Sequence, residues 1–270
     1  MTLYPLTHQS ILEISGRDAV SFLQGYCTND LSILNEGKAS YGAITNLQGR
    51  IETTFVAALD EQHAIGEGPG PHLMLRMPRS AIPHIHQFLS QYVIFSKAKI
   101  VDRSHDLHCY GSLTPTDQAE GMVIDIPQRP QGFELWTRQS LACHSDPSPW
   151  LLAELKAKLI WLEVAQAGTF QPFELDLTTN GGVNFDKGCY LGQEIIARVH
   201  YRGKPKTELI LATTDRPVQA GATVTDSSGK ACGTVVNAVD SRGGAHLAAV
   251  VNVARGSSAL MIGEHPLTTL

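Results

Sequence analysis

The sequence has no surplus of positive charge. Its 270 residues carry 21 Lys and Arg against 26 Asp and Glu, a formal net charge of −5. Proteins that wrap nucleic acid take much of their affinity from neutralising phosphates, so this balance argues against direct nucleic-acid binding as the main role. Long apolar runs are missing too. No window approaches the roughly 18 to 20 apolar residues that cross a bilayer, and there is no basic start followed by an apolar stretch, the form of a secretory signal. Cysteine is scarce: Cys27, Cys109, Cys143, Cys189 and Cys232, an odd count with no CxxC spacing. That pattern fits neither a disulfide framework nor a self-contained zinc or iron–sulfur centre, which needs three or four ligands at workable spacing. Reduced thiols in a cytoplasmic protein are the expectation. Walker, GxGxxG, HExxH and nucleophile-elbow motifs are absent as well.

What remains is a composition that builds a core, 43% hydrophobic and 17% charged, and a pattern that changes along the chain. Residues 11–14 read as a strand. Ser15 and Asp18 look like the capping box of a following helix. The runs 39–45 and 51–59 read as a hairpin around Asn46-Leu47-Gln48-Gly49-Arg50. A strand over 72–77 and a helix over about 79–91 follow, with Pro83 in its first turn. Strands over 97–102 and 107–113 come next, and β-type sequence continues to Trp136. Ser148-Pro149 opens the longest predicted helix, running through Leu155, Leu159 and Leu162 to about Ala167. A second helix is predicted over 193–200. From Thr207 onward only β-type runs and turns occur, read as a compact barrel. The fold class is therefore α+β, with a body over 1–205 and a β-barrel domain over 206–270.

Chemistry concentrates in Lys187-Gly188-Cys189-Tyr190-Leu191-Gly192-Gln193-Glu194. A thiol acts as nucleophile or ligand only as thiolate, and a neighbouring cation or helix N-terminus favours that form. Lys187 and the predicted helix start beyond Gly192 supply both. The competing reading is a buried structural cysteine in a glycine-rich turn, the commoner fate of a free thiol. Glu194 and Arg198 are four apart on one helix face and pair there; alternatively Gln193 or Glu194 accepts hydrogen bonds from the amide edge of a heterocycle. Arg198, Arg202, Lys204 and Lys206 surround Tyr201, either as a solvated linker or as an anion site. His84 and His86, two apart in a helix, face different directions and make no metal pair.

The run Gly181-Gly182-Val183-Asn184-Phe185-Asp186 leading into that octapeptide and on to Arg198, then Arg202-Gly203, closely resembles the YgfZ-type folate-binding proteins, relatives of the glycine-cleavage T-protein, an aminomethyltransferase. Phe22-Leu23-Gln24-Gly25 with Thr28-Asn29-Asp30 matches as well, and the stretch from Gly37 to Gly49 is similar. The resemblance covers most of the chain and is weakest from about 60 to 145 and in the C-terminal domain. It implies a three-part, ring-like α+β architecture, dividing the body into about 1–45 with 146–205, and about 46–145. It also implies a central tetrahydrofolate pocket with the signature Cys189 beside it, and support of iron–sulfur enzymes, including those that thiomethylate tRNA. On that basis Cys189 and Lys187 are the reactive pair. Asn29, Trp161, Tyr190, Gln193, Glu194, Arg198 and Arg202 are the candidate folate contacts, with Trp161 as a ring-stacking aromatic. Arg198, Arg202 and Lys204 would face folate's anionic glutamates.

The departures from the resemblance discriminate between activities. Where T-protein-like enzymes carry an acidic pair, Gly49-Arg50-Ile51-Glu52-Thr53-Thr54 has Thr53 and Thr54. Where they carry a folate-binding Glu before Ala-Gly, this chain has Gln166. Neither type supplies the anionic charge that stabilises a cationic one-carbon adduct. Glu52, one residue off, is expected on the opposite strand face. The sequence therefore favours an accessory folate-binding protein over a one-carbon transferase, with a folate-free docking scaffold as the bland alternative.

Overall fold

The computed structural model describes the chain except residues 1, 35–37, 115–119, 129–131, 204 and 256–258. Gly37 and Lys204 therefore lie outside the described residues.

The first sheet joins β2 (Gln9–Ser15), β3 (Ala39–Thr45), β4 (Ile51–Asp60), β5 (His72–Pro78) and β6 (Lys99–Asp102) in the order β3-β4-β5-β2-β6, every pair antiparallel. Helices α1 (Ala19–Gln24) and α2 (Ile82–Val93) cover one face. There Ala19, Phe22, Leu23, Ile82, Ile85 and Leu89 pack on Leu12, Ile14, Phe55, Leu73 and Leu75. The opposite face carries Ile11, Tyr41, Val56 and Met74 into a larger core. A sheet covered on both faces needs no polar/apolar alternation, and β2 and β5 are buried almost throughout.

That larger core is closed by a second sheet and by the third helix. The second sheet has the order β1-β7-β9-β8, from β1 (Tyr4–Pro5), β7 (His108–Ser112), β8 (Met122–Ile124) and β9 (Phe133–Thr137). Helix α3 (Ser148–Lys156) lays Trp150 and Leu155 against it. After α4 (Gln193–Arg202) the chain forms a seven-stranded, barrel-like antiparallel sheet. Its strands are β10 (Thr207–Thr214), β11 (Thr223–Asp226), β12 (Ala231–Ser241), β13 (Gly244–Asn252), β14 (Leu260–Ile262), β15 (His265–Pro266) and β16 (Thr268–Thr269), ordered β15-β14-β11-β12-β13-β10-β16. This sheet uses only residues beyond 206. The expected internal division near residue 45 falls in the turn between β3 and β4, which pair from Ala39↔Ala58 to Thr45↔Ile51.

Two helix expectations are corrected. Ser15 is the last residue of β2, not a cap; Asp18 precedes α1 and makes no side-chain cap bond, because its Oδ2 accepts from the Lys97 backbone N–H at 2.9 Å. The helix predicted to reach Ala167 stops at Lys156, so α2, at 12 residues, is the longest described helix. Lys158 has φ 54°, a left-handed conformation that breaks the helix. Beyond it Ile160–Leu162 runs non-helical, its backbone satisfied by side chains from elsewhere. The Tyr41 and Thr54 hydroxyls donate to the Ile160 carbonyl at 2.8 and 2.5 Å, and the Trp161 N–H donates to Asn237 Oδ1 at 2.8 Å. Tertiary partners override a helical apolar spacing there.

Candidate functional site

The octapeptide is clamped between the end of α1 and the tip of the β3–β4 hairpin. The Asn184 N–H donates to the Thr28 carbonyl at 2.9 Å, and Thr28 Oγ1 donates to the Gly182 carbonyl at 2.6 Å. Downstream, the Leu191 N–H donates to the Gly25 carbonyl, and Thr45 Oγ1 to the Leu191 carbonyl at 2.7 Å. The two stretches singled out in the sequence, some 160 residues apart, are thus one structural unit. Gly192 closes it. Its φ is 81°, and a Cβ there would collide with the Asn46 carbonyl oxygen and stand 2.8 Å from Gly49 Cα. Only glycine combines that backbone angle with that approach.

Lys187 turns inward. Its ammonium donates to the carbonyls of Gln24, Cys27 and Asn29 at 2.9, 2.8 and 2.8 Å, using all three N–H bonds. The thiol it neighbours is Cys27, at 3.8 Å, whose pKa burial pushes up to about 12. Burial also lowers the lysine's own pKa. Lys187 therefore fixes the loop after α1, and its hydrogen bonds are spent there instead of on Cys189. Tyr190 is the second anchor: buried, its ring 5.0 Å from the Lys187 ammonium, and its phenol pushed up to about 12 by burial. Between these two buried residues Gly188 and Cys189 are exposed, and Cys189 is a free thiol. Among the described residues nothing lies within 4 Å of a Cβ placed on Gly188. The result is a two-residue tip that carries a thiol on a buried, hydrogen-bonded base.

The remaining signature positions divide. Gln193 Oε1 accepts the Tyr190 N–H at 3.3 Å and so shapes the loop. Asn29 is buried: its carbonyl serves Lys187, its Nδ2 donates to Ser40 Oγ at 2.7 Å, and its Oδ1 has no described partner. Glu194 and Arg198 form the expected pair on the outer face of α4, 3.1 Å apart, and Arg202 is exposed nearby. Among the described residues no group of three His, Cys, Asp or Glu is placed to hold a metal.

A separate cavity of about 310 Å³ lies between α3, the 159–163 segment and β12. Of the expected folate contacts only Trp161 lines it; the octapeptide contributes nothing. One face of the Trp161 indole carries the Arg76 guanidinium at 4.0 Å, and Tyr41 meets it edge-on at 5.6 Å. Arg76, fully buried, bonds Glu134 at 2.7 Å and Glu154 at 3.1 Å. Sequence reasoning passed over this cluster. Its signal was an arginine inside the apolar run of β5, a position that burial permits only when paired.

The positions where the sequence departs from the T-protein pattern bond to backbone carbonyls here. Thr53 Oγ1 donates to the Leu162 carbonyl at 3.3 Å, and Thr54 Oγ1 to that of Ile160. Gln166 donates through Nε2 to the Val236 carbonyl at 3.0 Å and accepts the Glu163 N–H at 3.1 Å. Glu52 sits in a bulge, skipped between the pairs Ile44↔Thr53 and Thr45↔Ile51. It accepts from Asn46 Nδ2 at 2.6 Å and lies 2.7 Å from His84 Nε2, a partner not foreseen for that histidine.

The fold is that of the glycine-cleavage T-protein. The whole chain aligns with 84% of the aminomethyltransferase T of the Bartonella henselae glycine cleavage system, with a TM-score of 0.68 at 13% identity. No family model matches the sequence. Among curated proteins it is similar to an iron–sulfur cluster assembly factor IBA57 homologue of Mycosarcoma maydis, 28% identical over 77% of this chain and 56% of the relative. It is similar as well to the tRNA-modifying protein YgfZ of Aliivibrio fischeri, 24% identical over 88% of this chain and 80% of that protein. The chain thus spans little more than half the length of the fungal relative. The sequence is thus similar to YgfZ- and IBA57-type proteins, and the fold is T-protein-like.

Proposed function

We propose that this protein binds a reduced folate and supports iron–sulfur enzymes as an accessory factor, with Cys189 as its reactive or sulfur-contacting group. The observation that carries the reading is the Gly188–Cys189 tip, an exposed thiol between the buried anchors Lys187 and Tyr190. A thiol held outward in this way is placed to meet a partner, not a ligand enclosed in the same chain. The relatives named for iron–sulfur cluster assembly and for tRNA modification fit such a partner. A cluster, as cargo, takes its further ligands from the partner or a second subunit. Tetrahydrofolate goes to the cavity beside Trp161, whose volume is at the lower end of small-molecule sites. Aminomethyl transfer is disfavoured because Thr53, Thr54 and Gln166 hold the backbone together and bring no carboxylate. The free thiols fit a cytoplasmic location.

The test runs two measurements on wild type and Cys189→Ala. Calorimetric titration with tetrahydrofolate is expected to give binding in both. Thiomethylated tRNA in a deletion strain is expected to return with wild type and not with Cys189→Ala. Full restoration by Cys189→Ala removes the thiol from the mechanism, and no folate heat in wild type favours a docking scaffold.

A further inference from the structure

Helix α4 presents an outer face that the body of the protein leaves open. Ile196 is its one buried residue. Glu194, Ala197, Arg198, Tyr201 and Arg202, spaced at threes and fours, line an open groove of about 380 Å³ along its outer side. Tyr201 is 70% exposed and belongs to an aromatic cluster. Phe185 stacks on His200 with ring centres 3.9 Å apart, and Tyr201 meets His200 edge-on at 4.8 Å. Phe185 lies in the loop leading to Lys187 and Cys189, so the cluster ties the far end of α4 to the thiol loop. The face is also cationic, on a chain whose net charge is −5. Glu194 is matched by Arg198 at 3.1 Å, whereas among the described residues no carboxylate pairs with Arg202. Lys206 is exposed just beyond it. A cation in the last turn suits the negative end of the helix dipole, which accounts for Arg202 but not for a tyrosine standing out in water beside it.

Tyrosine and arginine are the side chains that most often anchor protein interfaces. Unmatched positive charge calls for a partner of opposite sign and orients its approach. Nucleic acid is the other anionic candidate, and the acidic balance of the chain opposes it. We infer that Arg198, Tyr201 and Arg202 form the docking surface for an acidic face of the iron–sulfur protein that Cys189 meets. Tyr201 is the anchor, and the arginines take carboxylates, a geometry their planar fork matches. Because α4 starts at Gln193, just past Cys189, a partner seated on this face has the thiol beyond the helix's first turn. The inference rests on the reading of Cys189 as a partner-facing thiol.

The experiment measures affinity at low and high salt for two probes: the purified tRNA-thiomethylating iron–sulfur enzyme of the same organism, and total tRNA from the same cells. The proteins are wild type, Tyr201→Ala, and a double variant with Arg198→Glu and Arg202→Glu. All three positions are exposed, and a thermal melt checks that each variant folds; Arg202→Ala stands in if the double variant does not. Wild type is expected to bind the enzyme, more weakly at high salt, and to show no saturable binding of tRNA. Tyr201→Ala should weaken enzyme binding about 10-fold or more, the scale of an interface anchor. Charge reversal should weaken it as much and remove its salt dependence. Wild-type affinity in both variants overturns the α4 surface, and so does a wild type that does not bind the enzyme. Binding of tRNA by wild type that charge reversal abolishes makes the face a nucleic-acid site instead. None of these outcomes touches the reading of Cys189, which fails only if Cys189→Ala restores thiomethylated tRNA.

Discussion

The thiol tip and the cavity each rest on a buried ion, and the two ions are satisfied differently. Lys187 meets three backbone carbonyls, all within residues 24–29. Arg76 meets two carboxylates from β9 and α3 and lies over an indole from the 159–163 segment. The first arrangement orders one loop; the second binds three parts of the body together and sets the cavity wall. Removing the ion should therefore cost more around the cavity than under the thiol. Arg76→Met leaves Glu134 and Glu154 buried without that cation, and a loss of about 3–5 kcal/mol is expected from urea unfolding. An equal loss in a variant that also neutralises Glu154 would show that the ion pair is not its source.

Lys187→Met should cost about 3 kcal/mol, since three buried carbonyls lose their donor. The effect should be local. Hydrogen exchange is expected to quicken over residues 24–30 and 184–191 while the β-barrel strands stay protected. Exchange rising equally in β12 would make the loop part of the global core and erase the contrast with Arg76.

The comparison also explains what could be read in advance. The thiol loop is contiguous, so its glycines, lysine and cysteine stand together in the sequence, and the hairpin it docks on was legible from Asn46 to Arg50. The sense of Lys187 was not legible, because its three acceptors are carbonyls near residue 27 and carry no side-chain signature. The cavity is assembled from residues near 8, 151–163 and 218–239, and no window contains it. The 159–163 segment was misread for the same reason: Tyr41, Thr54 and Asn237, which hold it out of a helix, are remote in sequence.

His8 gives the cavity a pH signature on the acid side of neutrality. Its folded pKa, about 4, lies below the ordinary 6.5, with burial the main cause and Arg76 second. The unfolded chain therefore takes up a proton first as pH falls, and stability is lost from about pH 6.5 down towards 4. The loss is on the order of 2 kcal/mol, moderated because the ring is only partly enclosed. Urea unfolding of wild type between pH 7.5 and 4.5 should show the slope, and His8→Gln should flatten it. An unchanged slope in that variant assigns it to other groups.

The smallest effect on stability belongs to the residue with the largest functional claim. Cys189 is exposed, lies between two buried anchors, and follows a glycine with open space around it. Cys189→Ser removes sulfur and keeps size and polarity, so the melting midpoint should move by less than about 0.5 kcal/mol equivalent. Folate binding should be untouched, because no octapeptide residue reaches the cavity. Activity toward an iron–sulfur partner should still be lost, since a hydroxyl supplies neither thiolate nor soft ligand. A Cys189→Ser protein that loses folate affinity instead would join the two regions into one site, and the separation between thiol tip and cavity would have to be given up.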